Sequence, residues 1–162
     1  MKKTLHILET GVLTHKPKQV EWQANDKDCE RLADRIGVIK VTGFSAHFTA
    51  ERDNLICVKG KIEAEVIQSC VVSGEPVSES INEEFEEFFT DNKRYKQSIE
   101  IDMDSPDITP VENNRIDLEE LATQYLILAL NPYPHKKDIV FEDKIEDDEK
   151  PNPFAVLEKL KH

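Results

Sequence analysis

The sequence predicts an α+β domain: a mainly antiparallel β-sheet, curled toward a barrel, packed by one long helix in the C-terminal half and a short helix near the N-terminus. Three observations lead there. Residues 56–66 alternate apolar and polar with period two, the mark of a strand with one dry and one wet face. Residues 117–130 carry apolar groups at helical spacing behind an N-cap. Residues 27–36 form a shorter amphipathic stretch with a start signal before it and a glycine after it.

In chain order, residues 1–25 read as an extended entry segment. Asn25 or Asp26 caps the first helix, with Glu30 near the place where a capping box closes. Leu32, Ala33 and Ile36 make its apolar stripe, and Gly37 stops it. A strand follows over 38–48. Ile39 and Val41 share one parity, whereas Phe44, Ala46 and Phe48 take the other, so a bulge or bend is expected at Gly43. Residues 51–54 are a polar turn. In the next strand Ile56, Val58, Gly60, Ile62, Ala64 and Val66 face inward, and Lys59, Lys61, Glu63 and Glu65 face water. After a turn at 73–76, residues 77–89 fit two periods: Val77, Ile81, Phe85 and Phe89 suit a strand, and Ile81, Phe85 and Phe88 suit a helix. The strand is favoured because it follows a hairpin-type turn.

Residues 91–97 are a polar connection, and Ile99, Ile101 and Met103 alternate as a short strand. Residues 105–114, with two prolines and two asparagines, read as an exposed loop. Asp117 then caps the long helix, whose stripe is Leu118, Leu121, Ala122, Tyr125, Leu128 and Ala129, widened by Leu126, Ile127 and Leu130. Both Leu121 and Leu128 are expected beneath the sheet. Asn131-Pro132 ends the helix, and Pro134 keeps the chain extended. Residues 1–141 are thus expected to be a single domain. Residues 142–153 hold six acids, two lysines and two prolines, and read as a flexible acidic linker. Residues 154–162 read as a short helical motif with Phe154, Leu157 and Leu160 on one side.

Charge is divided along the chain. Residues 1–75 carry 11 basic and 11 acidic groups, and residues 76–162 carry 10 and 22, so the net charge of −12 arises in the second half. No apolar run approaches the roughly 18–20 residues that span a bilayer, and no membrane partner is expected. Cys29, Cys57 and Cys70 are odd in number, far apart and without a CxxC pair, which fits a reducing compartment; the cytoplasm is the expected location.

Motifs for chemistry are sparse. Cys70 has no nucleophile elbow around it, and nothing in the sequence fixes a histidine nearby. His6, His15, His47, His135 and His162 are scattered, without the paired spacing of a zinc site, so no metal is expected. Glu83, Glu84, Glu86 and Glu87 lack a glycine-centred calcium loop and read as a solvated acidic face. No phosphate-cradling glycine loop is present. The expectation is a non-enzymatic binding protein with no cofactor and no small-molecule substrate. Lys59 and Lys61 on the wet face, with Arg52 across the turn, are the candidate contact for an anionic partner; Asn152, Pro153 and Phe154 are a candidate docking element.

Three stretches together resemble one family: residues 60–77, with Gln68-Ser69-Cys70-Val71-Val72 and Gly74-Glu75-Pro76-Val77; residues 116–134, with Ile116-Asp117-Leu118 and Asn131-Pro132-Tyr133-Pro134; and Asn152-Pro153-Phe154-Ala155-Val156-Leu157. Their order and spacing are similar to the YceD-like family of large ribosomal RNA subunit accumulation proteins, and Cys-Val-Val with Asn-Pro-Tyr-Pro is similar to its alphaproteobacterial branch. The resemblance implies a factor supporting accumulation of large-subunit (23S-type) ribosomal RNA and ribosome biogenesis in bacteria, without a known catalytic centre. It implies as partners that RNA, a ribosomal protein, or both. Its motif positions here are Cys70, Glu75, Pro76, Asp117, Pro132 and Pro134. Many members carry a second cysteine three residues after the first. Ser73 stands there in this chain, and the stretch after Pro134 has no cysteine, which weighs against any metal site built from them. Two rivals stand beside this reading: an acidic adaptor for basic proteins, and a hydrolase built around Cys70.

Overall fold

A computed structural model describes residues 6–92 and 107–136. Its elements are β1 (Ile7–Glu9), a 3-10 turn (Thr10–Val12), β2 (Lys18–Gln23), α1 (Asp26–Ile36), β3 (Lys40–Arg52), β4 (Ile56–Ser69), β5 (Pro76–Thr90), β6 (Ile108–Pro110), β7 (Arg115–Asp117) and α2 (Leu118–Ala129). The fold is α+β. Five strands form a sheet in the order β2-β3-β4-β5-β6, antiparallel except for the short β5–β6 pair, and β1 pairs with β7 apart from it. Among the described residues the sheet is open, with β2 and β6 at its two ends, and does not close into a barrel.

The long β3-β4-β5 meander follows directly from the alternation. Ile56, Val58, Gly60, Ile62, Ala64 and Val66 are all buried. The β3–β4 register shifts between Val41 and Gly43, the bulge that the parity change requires. Residues 77–89 are strand, with Ile81, Phe85 and Phe89 inward. The inner face is tightly fitted at Gly60: a Cβ there would stand 2.2 Å from the Phe85 ring. That ring stacks on Tyr125 of α2 at 3.8 Å and meets Phe48 edge-on at 6.3 Å. Burial, then the Glu87 carboxylate that accepts its hydroxyl proton, pushes the Tyr125 phenol up to about 12.

Both helices cover this one face, α1 on β3 and α2 over β4 and β5. Asn25 caps α1, and Asp28 closes the capping box instead of Glu30, since the box needs the third residue after the cap. Gly37 ends α1 in the left-handed region at φ 73°, and Asp117 caps α2 by accepting the Glu120 N–H at 3.0 Å.

Further expectations need correction. The polar turn expected at 51–54 is shorter, since Glu51 and Arg52 belong to β3. Leu128 is not beneath the sheet but 77% exposed, and Leu126 is fully buried in its place. Leu121 already lies at the rim of the buried arc. Seven residues on, the helix has drifted by about 20° and carries Leu128 off that arc, whereas Leu126 follows the fully buried Ala122 by four. Residues 105–114 are not wholly loop: β6 lies within them, paired with the end of β5. The entry segment is not uniformly extended, since a 3-10 turn separates β1 from β2. The strand expected at Ile99–Met103, the linker and the terminal helix lie outside the described residues.

Candidate functional site

The connection between β4 and β5 is built from hydrogen bonds within six residues. The Cys70 N–H donates to Glu75 O at 2.8 Å, and the Gly74 N–H returns to Cys70 O at 2.9 Å. Gly74 stands at φ 72°, where a side chain would strain the turn. The Ser69 hydroxyl donates to Gly74 O, and the Glu75 N–H donates to Ser73 Oγ. The Cys70 thiol is folded under this turn, only 3% exposed, with the Ser73 N–H 3.5 Å from its sulfur. Hydrogen bonding from the Ser73 hydroxyl, then from the Ser73 N–H, pulls the thiol down to about 6 against the burial that opposes it. Cys57 is the opposite case. It sits on the wet face, and burial, then its hydrogen bond to Glu86, pushes it up to about 11.

A second segment, some 60 residues away in sequence, docks on the turn. The Val71 N–H donates to Pro134 O at 2.9 Å, and Lys136 Nζ reaches Glu75 Oε2 at 2.5 Å. The ion pair holds the Glu75 carboxyl below its usual range. Gln68 Nε2 donates to Glu79 Oε2 and to Asn131 O, tying the end of β4 to the exit of α2, and Asn131 Oδ1 turns the chain by accepting the Tyr133 N–H. Cys70, Glu75, Pro76, Pro132 and Pro134 therefore share one end of the molecule. Asp117 does not; it caps the far end of α2, roughly 18 Å away along the helix. The sequence marks Gln68 only as part of a motif stretch, Lys136 only as part of a small basic group with Lys137, and Glu79 not at all. Each is an ordinary polar residue there, and only the meeting of distant segments gives it a partner.

The wet face of the sheet is uncovered by either helix. Strand register brings six glutamates onto it (Glu21, Glu51, Glu63, Glu65, Glu84, Glu86) against three lysines (Lys40, Lys59, Lys61). Lys61 Nζ lies 2.9 Å from Glu63, Lys59 Nζ lies 3.7 Å from Glu86, and His47 stands 3.5 Å from Glu21. Arg52 lies elsewhere. It has the parity of Phe48 and Ala50, and its guanidinium donates to Thr10 O at 3.2 Å and pairs with Asp91 at 2.8 Å. The geometry thus keeps Lys59 and Lys61 together and separates Arg52 from them. Asn152, Pro153 and Phe154 lie outside the described residues.

Among the described residues no three His, Cys, Asp or Glu side chains gather as a metal would require, and no helix is long and apolar enough to cross a membrane. Comparison with curated proteins and with solved structures found no match. A family model described as "Large ribosomal RNA subunit accumulation protein YceD" matches residues 58–161, a span that begins on β4, takes in the whole turn and the α2 exit, and reaches the end of the third motif. The chain belongs to the YceD family.

Proposed function

We propose that this protein supports accumulation of large-subunit ribosomal RNA, and with it assembly of the large subunit, as a non-enzymatic binding module whose contact is with a basic protein of the particle. Family membership supports the role. One observation carries the choice of partner: the uncovered sheet face presents six carboxylates and three ammonium groups, and two of those ammonium groups already lie beside carboxylates. Such a face repels phosphates and attracts the lysines and arginines of proteins that pack on RNA. Cys70 fits this reading as a structural group, its sulfur engaged by the turn that covers it.

Direct contact with RNA through Lys59 and Lys61 is the second reading. It is favoured by their shared face and by the 59% exposure of the Lys59 side chain. Co-sedimentation with large-subunit precursors across a salt series separates the two. For a protein contact, Glu63→Gln with Glu84→Gln and Glu86→Gln weakens association, and Lys59→Glu with Lys61→Glu does little. For an RNA contact the effects are reversed. A protein that does not co-sediment under any condition overturns the proposed role.

A further inference from the structure

Seven large apolar side chains are well exposed among the described residues, and five of them (Val71, Val72, Ile127, Leu128 and Tyr133) lie on the β4–β5 turn and the α2 exit. The Val71–Pro134 and Gln68–Asn131 hydrogen bonds join those two segments into one unit. Single exposed apolar groups need no explanation, but their concentration on one joined pair of segments does.

We propose that this patch is the docking site for the C-terminal segment of the same chain, residues 152–157, with Phe154 as its anchor. Three observations select this occupant. The chain leaves the described residues at Lys136, which is itself held to the turn by Glu75, so the connection to the segment starts beside the patch. Residues 142–151 are dominated by acids, and Phe154, Val156 and Leu157 are the first apolar cluster after them. A single family match spans both halves of the patch and the segment. Length is no obstacle: the 17 residues between Lys136 and Phe154 reach up to roughly 60 Å when extended. A short tether supplies an effective concentration on the order of millimolar, so even a weak apolar contact is occupied. Docking would bring the third motif onto the other two.

NMR on the full chain tests this without ribosomal RNA, and so independently of the proposed function. The expected result is nuclear Overhauser contacts from the Phe154 ring to the methyls of Val71 and Val72. In Phe154→Asp those contacts vanish and the amides of Val71, Val72 and Tyr133 shift, whereas those of Val58 and Ile62 stay in place and report an intact fold. Leu157→Asp gives the same pattern. Contacts seen only between labelled and unlabelled chains in a mixed sample would assign the patch to a second copy and overturn the proposal. Unshifted patch amides in both variants, with no contacts in the parent, would overturn it in favour of a separate partner.

Discussion

The inner face of the β4–β5 hairpin and the turn that closes the same hairpin are held by different physics. On the inner face, aromatic and aliphatic groups interlock around Gly60, Phe85, Tyr125 and Leu126, with the Tyr125 hydroxyl donating to Glu87 beside them. At the turn, backbone donors and acceptors of residues 69–75 bind one another and then bind residues 131–136, and the side chains left over are exposed. The contrast teaches that rigidity in this protein comes from packing in one place and from hydrogen-bond closure in the other. The two should fail under different perturbations.

The largest effect is expected at Leu126. Its replacement by Ala should cost about 2–5 kcal/mol in denaturant unfolding, whereas Leu128→Ala on the same helix should stay within about 0.5 kcal/mol. Equal losses at the two sites would erase the distinction between the packed arc and the exposed rim. Gly60→Ala comes next. The added methyl collides with the Phe85 ring and must displace it from Tyr125, at about 1–3 kcal/mol. An unchanged melting temperature, with Tyr125 ring shifts as in the parent, would show that the inner face is looser than its geometry implies.

The turn should respond to pH instead. The folded Cys70 thiol ionises at about 6, below its ordinary 9.0, so the folded state binds this proton less tightly than the unfolded state. Its contribution is therefore fully present above pH 9 and is lost as pH falls from 9 through 6. The difference in melting temperature between the parent and Cys70→Ser should widen in the parent's favour as pH rises from 6 to 9 and shrink as it falls. A pH-independent difference would mean that the thiol stays protonated. The smallest effect is expected for Lys136→Ala, which removes an exposed ion pair with Glu75. It should lower the melting temperature slightly at low salt and not at high salt.

Elements that repeat a local pattern were legible in the amino-acid order. Period-two alternation from Ile56 to Val66 fixed which side of β4 is dry. The parity change at Gly43 located a bulge, and Asn25, Gly37 and Asp117 marked helix ends, because each signal lies within a few residues of its cause. Three motif stretches, read in order, pointed to the family that the match over residues 58–161 shows. Tertiary structure decided what depends on distant neighbours. Leu126 and Leu128 are equally apolar, and only the position of the sheet beneath α2 buries one and exposes the other. The wet face was legible as polar on β4 alone. Its excess of acid arises from glutamates that register brings in from β2, β3 and β5. Arg52 looked like a neighbour of Lys59 and Lys61 because it is near them in sequence, yet its strand parity turns it to the other side, onto Asp91. The joining of the Cys70 turn to Pro134 and Lys136 was equally hidden. A backbone hydrogen bond leaves no mark on residue identity, so its partner is set by where the chain is carried and not by what the chain is made of.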